Sequence, residues 1–413
     1  VSAGVLRNIG LVATCPADGG QGELGLIPQA ALAWDQGTVV WVGREADLPP
    51  ELARREAMDA GGRLVVPGLV DCHTHLAFGG WRADEFAQRI AGASYQEIAA
   101  AGGGIASTVR HTRGATEAEL LALATSRARE MLALGVTTIE CKSGYGLDED
   151  TELRLLRVYR ALAERGPSRI VATFLGAHVV PAELRADRES YVRLLTDVLI
   201  PEIGAAGLAR CCDVFVEEGA FTVDEARRIL RAGQAHGLAA KLHADQLSAG
   251  GGAELAAELG ALSADHLECV SPAGIEAMAA AGVVAVSLPI ATMYLGQRPM
   301  PARRLIEAGV AVAVATDFNP GTAPSWHLPL ALTLACTMQR MTPAEALKGA
   351  TTIAARAIGA ADRVGGLSVG MAADFAVIDA PDVNQWLYQF RANACVTTVV
   401  AGSVVWEAGA GLR

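Results

Sequence analysis

The sequence reads as an α/β chain: a (β/α)₈ TIM-like barrel carrying a small β-sandwich domain built from both termini. Three observations point there. The middle of the chain holds eight apolar, β-branched runs, most of them separated by segments of helical period. The two ends hold short alternating strands set off by turn residues. Five of the eight histidines fall at or just past the end of an expected strand.

The eight runs are 64–71, 136–141, 170–177, 212–216, 239–243, 260–266, 283–288 and 310–316. Helical period is clearest over 117–134, 152–164, 223–236 and 302–308. A doubly wound sheet would fit the alternation, but no GxGxxG turn follows the first strand. At the ends, 37–43, 373–379 and 397–406 alternate in the manner of half-buried strands. The expected division is therefore a discontinuous small domain, 1–62 with 368–413, around a barrel over 63–367.

Composition narrows the function. With 51% hydrophobic and 19% charged residues, the chain can bury a large core and is not disordered. Its 34 Lys+Arg against 45 Asp+Glu give a net charge of −11. That balance argues against binding nucleic acid or an anionic membrane, and 5% aromatics against a base-stacking platform. Eight cysteines without CxxC spacing read as reduced thiols of a cytoplasmic protein, with Cys211 and Cys212 as small hydrophobes in a strand. The start at Val1 shows no basic segment leading into an apolar one, so no signal peptide is expected. The uncharged stretch 277–297 contains Gly282, Pro289 and Gly296, and reads as a helix end, a buried strand and a loop.

The five histidines at strand ends are His73, His75, His178, His243 and His266. In a barrel those ends converge on one face, where sites are built. His73 and His75 stand two apart on a strand and can reach one metal ion, although strand histidines often only hydrogen-bond in a core. Asp317 leaves the last apolar strand, where a carboxylate is costly unless something positive meets it; its neighbours Pro320 and Gly321 also suit a turn. With His243 these residues make a mixed imidazole–carboxylate set suited to Zn²⁺ or Fe²⁺. His111, His236 and His327 read as structural or surface residues.

The segments Pro67-Gly68-Leu69-Val70-Asp71-Cys72-His73-Thr74-His75, Phe78-Gly79-Gly80-Trp81-Arg82 and Gly102-Gly103-Gly104-Ile105 follow a known order. So do Lys142-Ser143-Gly144-Tyr145-Gly146-Leu147, Leu175-Gly176-Ala177-His178, Leu242-His243-Ala244-Asp245-Gln246, Ser263-Ala264-Asp265-His266-Leu267-Glu268 and Thr316-Asp317-Phe318-Asn319-Pro320-Gly321-Thr322. Over 67–322 the chain resembles the metal-dependent amidohydrolase superfamily and, more narrowly, its imidazolonepropionase family. HxH with a late Asp marks only the superfamily; the 142–147 and 102–105 segments are more specific.

The resemblance implies one divalent metal per subunit, Zn²⁺ or Fe²⁺, on His73, His75, His243 and Asp317. It places Arg82, Tyr95, Tyr145 and His178 against a small anionic imidazolone substrate, and Asn319, Gly321 and Thr322 near the product. It puts His266 and Gln246 beside the metal and the ring, and implies hydrolysis of the cyclic amide of 4-imidazolone-5-propanoate in histidine degradation. A homodimer is also expected from it.

The residues favour the same chemistry, because an anion approaching a protein of charge −11 needs a local cation such as Arg82. Asp317 or His266 would take the proton from water. Gln246 stands where some members carry Glu, and an amide cannot accept that proton. Lys142 could suggest the carboxylated lysine of two-metal relatives, but it ends the second expected strand and not the fourth, which favours one metal. Competing readings are a hydantoinase-like enzyme, a nucleobase deaminase, or an inactive barrel used for binding. Arg82, Tyr145 and His178 speak for a carboxylate-bearing imidazolone, and the intact ligand set speaks for an enzyme.

Overall fold

The computed structural model of the protein describes residues 3–93, 97 and 102–412. Eight parallel strands pair in chain order: β1 (Leu69–Thr74), β2 (Val136–Lys142), β3 (Arg169–Ala177), β4 (Cys211–Val216), β5 (Ala239–Ala244), β6 (Ser263–His266), β7 (Val284–Ser287) and β8 (Val312–Val314). Helices between them cover the outer face of the sheet, so the strands are buried on both faces and read as largely apolar stretches and not as alternations. The barrel closes between its first and last strands. Asp317 N–H donates to His73 O (3.0 Å) and His75 N–H to Phe318 O (2.8 Å), with a parallel bridge between Thr74 and Phe318.

The first expected strand, 64–71, is two strands in two sheets. Leu64–Pro67 belongs to the terminal sheet, and β1 begins at Leu69. The break falls at Gly68, where a Cβ would lie 2.2 Å from the Thr137 Oγ1 of the neighbouring barrel strand. Only a residue without a side chain lets the chain pass so close while changing sheets. Composition shows the apolar run and hides the break.

The terminal sheet has nine strands and is largely antiparallel. Its longest strands are Gly4–Ala13 and Leu26–Asp35, and its C-terminal contribution includes Phe375–Ile378, Cys395–Val400 and Ser403–Glu407. It folds around an apolar cluster of its own, including Leu6, Ile9, Val12, Leu32, Trp34, Val39, Phe375 and Val399, which is the small sandwich the sequence predicts. Asp374, 3% exposed, joins sheet to barrel: it pairs with Arg169 at the start of β3 (2.6 and 3.1 Å) and accepts from Ala401 N.

Helix starts follow local chemistry. Thr116, Thr222 and Thr342 form capping boxes with Glu119, Glu225 and Glu345. The 277–297 stretch holds the end of helix Pro272–Ala281, then β7, and then a short helix, Pro289–Leu295, in place of the expected loop. Pro289 sits at the first turn of that helix, where its missing N–H costs nothing. Among the described residues no helix is long and apolar enough to cross a membrane. All eight cysteines are unpaired, with Cys211 and Cys212 buried on β4.

Candidate active site

The interior of the barrel beneath the histidines is ionic. Lys142, at the end of β2, is fully buried and donates to Glu140 (2.8 Å) and Asp213 (2.7 Å). Burial alone would lower its pKa, but Asp213 and Glu140 outweigh that and hold it well above the ordinary lysine value. It is therefore an ammonium, not the neutral amine that carboxylation requires. Lys241 donates to Ser263 Oγ (2.6 Å) and lies 3.5 Å from Asp265. Glu140/Lys142, Lys241/His243 and Asp71/His73 are each two apart on a strand, so each pair shares the inward face.

On this floor stand the imidazoles. His73 Nδ1 contacts Asp265 Oδ2 at 2.6 Å, and His243 Nδ1 contacts Asp213 Oδ1 at 3.1 Å. Each carboxylate therefore accepts a hydrogen bond from Nδ1–H, which leaves the other ring nitrogen as a free acceptor. His73 Nε2 and His243 Nε2 are buried and make no hydrogen bond among the described residues. Asp317 Oδ1 lies 3.4 Å from His73 Nε2 and 3.5 Å from His75 Nε2. Burial alone would raise the Asp317 carboxyl, but His73 and His75 override it and hold it well below the ordinary range. Burial pushes the His75 imidazole down to about 4.

Two groups of ligand atoms are close enough to share one ion: His73, His75 and Asp317, and His73, His243 and His266. His73 belongs to both. Buried nitrogen acceptors without protein partners, beside an ionised carboxylate, fit a divalent cation and are costly without one. The backbone agrees, since Asp317 takes a left-handed φ of 55° that ordinary strands avoid.

Above the cluster opens a cavity of ≈ 390 Å³. Of the residues singled out by sequence, Arg82, Tyr145, His178, Gln246, Asn319 and Thr322 line it, together with His75, His243, His266 and Asp317. Tyr95 lies outside the described residues. Arg82 precedes helix Ala83–Ile90, and its buried Nε has no hydrogen-bond partner among the described residues. Its guanidinium lies against the backbone of Gly321; a Cβ there would fall 1.1 Å from Arg82 Nη2. Gly321 thus makes room for the cation.

Asn319 is already engaged. Its amide donates to Asp317 O (2.7 Å) and Thr322 Oγ1 (2.9 Å), and its oxygen accepts from Gly321 N and Thr322 N. It shapes the loop that presents Asp317. Tyr145 is held from below by Glu152, which accepts from the N–H groups of Gly144, Gly146 and Leu147. His178 Nδ1 donates to Gly144 O (3.0 Å). Asp213, Lys241, Glu152, Glu268 and Gln297, the last in the cavity wall, are not marked as site residues by the sequence motifs. The usable signal was a charged residue inside an otherwise apolar strand, as in Cys211-Cys212-Asp213-Val214.

Comparison with known proteins agrees with this geometry. Residues 92–406 match the model of the Amidohydrolase family. The imidazolonepropionase of Anaeromyxobacter dehalogenans (strain 2CP-C) is 50% identical over 409 residues, 98% of this chain and 96% of that protein. The chain belongs to the imidazolonepropionase family of amidohydrolases. The imidazolonepropionase of Geobacillus kaustophilus (strain HTA426) is 47% identical over 94% of this chain and 92% of its own length. Among solved structures, an adenosine deaminase from Xanthomonas campestris with bound zinc superposes with a TM-score of 0.74 at 18% identity, covering 100% of this chain and 94% of that one. At that identity the likeness concerns the fold alone. As a family member the chain is a hydrolase of cyclic amide C–N bonds, and its His/Asp cluster fits a divalent metal ion.

Proposed function

We propose that this chain opens the ring of 4-imidazolone-5-propanoate to N-formimidoyl-L-glutamate, and that the residues of the cavity divide the work as follows. The observation that carries this reading is one cavity holding both unpartnered imidazole nitrogens and an unpartnered guanidinium Nε. His73, His75, His243 and Asp317 would hold one Zn²⁺ or Fe²⁺. A divalent ion there supplies polarisation and a water nucleophile at neutral pH.

Arg82 binds the propionate, since a guanidinium meets a carboxylate with two parallel N–H donors and holds its charge when buried. Tyr145 and His178 flank the ring, and the Gly144 contact leaves His178 Nε2 facing the cavity. Gln246 can orient water or substrate but cannot take a proton. Asp317 or His266 receives the proton as water adds to the ring carbonyl, and the ring nitrogen is protonated as the C–N bond breaks. Asn319, Gly321 and Thr322 shape the wall where the product leaves. Zinc or iron, a cytoplasmic location and a homodimer belong to this reading as family expectations; light scattering of the purified protein checks the last.

The test combines metal analysis with the spectroscopic loss of imidazolonepropionate. A metal-loaded protein that leaves the compound untouched would overturn the reading. Arg82→Ala should chiefly raise KM, by about 10- to 100-fold for one lost charge-assisted contact; an unchanged KM would remove Arg82 from substrate binding.

A further inference from the structure

We infer that Glu268 is a positioning residue for His266: with one carboxylate oxygen held by Thr292, the other faces the imidazole Nδ1 and so presents Nε2 to the cavity. The inference rests on the proposed place of His266 in the reaction and adds the group that sets its orientation.

Four observations carry it. His266 lines the cavity and Glu268, although buried, does not. Thr292 Oγ1 donates to Glu268 Oε1 at 2.9 Å. His266 Nδ1 and Glu268 Oε2 are each buried without a hydrogen-bond partner among the described residues, and they lie 3.8 Å apart. Finally, the backbone between them is strained, with φ of 80° at His266 and 65° at Leu267. Two consecutive side-chain-bearing residues in the left-handed region are costly and persist only where the surroundings hold them. Leu267 N to Ala244 O (3.0 Å) and Cys269 N to Asp245 O (2.8 Å) pin this turn to the end of β5.

Two orphaned groups of complementary chemistry, turned toward each other by a strained turn, make a donor–acceptor pair. The 3.8 Å gap exceeds a hydrogen bond, and catalytic contacts of this kind tighten when substrate binds. The pair matters because Gln246 cannot act as base. With Nδ1–H directed at Glu268, His266 Nε2 carries the lone pair. The proton leaving the attacking water passes to that nitrogen and returns to the ring nitrogen as the C–N bond breaks, so the imidazole ends as it began. The arrangement repeats one level up what Asp265 and Asp213 do for His73 and His243.

The experiment uses Zn²⁺-loaded protein with ¹⁵N-labelled histidine, the His266 signals being assigned by their loss in His266→Gln. The expected result is the Nδ1–H tautomer at His266, lost or mixed in Glu268→Gln. In that variant kcat should fall about 10- to 100-fold, as for other residues that orient a working histidine, while KM and metal content stay unchanged. An Nε2–H tautomer in the unmodified protein would overturn the inference, and so would a Glu268→Gln variant with unchanged tautomer and kcat. A kcat loss that only follows lost metal or a lower melting temperature would also overturn it. Should Glu268→Gln fail to fold, the spectrum of the unmodified protein decides. Should the unmodified protein leave imidazolonepropionate intact, the proposed function falls, while the tautomer still tests the pairing.

Discussion

The terminal sheet and the upper interior of the barrel are buried to the same degree and are filled in opposite ways. The sheet packs Leu6, Ile9, Val12, Leu32, Trp34, Phe375 and Val399 against one another. The barrel interior instead packs Glu140, Lys142, Asp213, Lys241 and Asp265 beneath His73 and His243, all at or below 3% exposure. The first arrangement gains stability with every apolar group removed from water. The second costs desolvation for each charge, offset only because every carboxylate meets an ammonium or an imidazole. Glu140, Asp213 and Asp265 against Lys142 and Lys241 leave one negative charge beneath the histidines, Asp71 on the same face is held by Thr316 with burial pushing its carboxyl up to about 7, and Asp317 adds a further charge beside them. That surplus suits a divalent cation. One half of the molecule is built to be stable, and the other is built to hold charge in place.

Substitutions can break this contrast at either end. The largest effect is expected for Asp317→Ala, which should release the metal and cut turnover by at least about 10⁴-fold, since a bound ion is worth several kcal/mol of barrier. Its melting temperature should change far less than its activity. Elemental analysis showing a full complement of metal in this variant would remove Asp317 from the ligand set.

Phe375→Ala tests the other half. It should cost about 3–5 kcal/mol of stability by leaving a cavity, while the folded fraction keeps its kcat. Denaturant melts and active-site titration measure the two separately, and a kcat that falls with stability would show that the halves are coupled.

Asp265→Asn addresses the ionic floor. It should weaken metal binding by about 10- to 100-fold in chelator competition, because His73 loses the partner that fixes its tautomer.

The smallest effect sharpens the contrast by lying outside both halves. Burial alone would raise the Glu345 carboxyl, but its pairing with Arg303 and its bonds to Thr342 hold it below the ordinary glutamate value. A lowered carboxylate pKa contributes stability above the unfolded value near 4.5, and that contribution is lost as pH falls through the lower folded value. Because the pair is partly exposed, Glu345→Gln should cost about 1 kcal/mol or less at neutral pH and converge with the unmodified protein in acid. A difference that persisted at low pH would assign the effect to packing instead.

Much of the site was legible because its residues stand at strand ends. HxH spacing, a late Asp and a histidine after each of several apolar runs follow from period two on a strand, which survives in one dimension. The ionic floor was not legible in that way. Lys142 read as a charged or hydrogen-bonding residue and not as a metal ligand; the partner that holds it, Asp213, approaches to within 2.7 Å only through strand pairing between distant segments. Gly321 and Asn319 read as product contacts, and their surroundings give them further work: one accommodates the Arg82 guanidinium and the other ties the loop below Asp317.

By itself the sequence determined the barrel, the two-ended small sheet and a set of side chains suited to a metal ion, because these depend on local periodicity and residue chemistry. Only the tertiary structure decided how that set is joined. The seam between β1 and β8 brings His73 O to Asp317 N at 3.0 Å, and the strained turn after β6 brings Glu268 to His266. It also decided that the apolar run 64–71 serves two sheets. The physical reason is common to all three. Hydrophobic pattern specifies which face of a strand is buried, whereas the partner across a barrel, and the room left for a guanidinium or an ion, arise only when the last strand closes on the first.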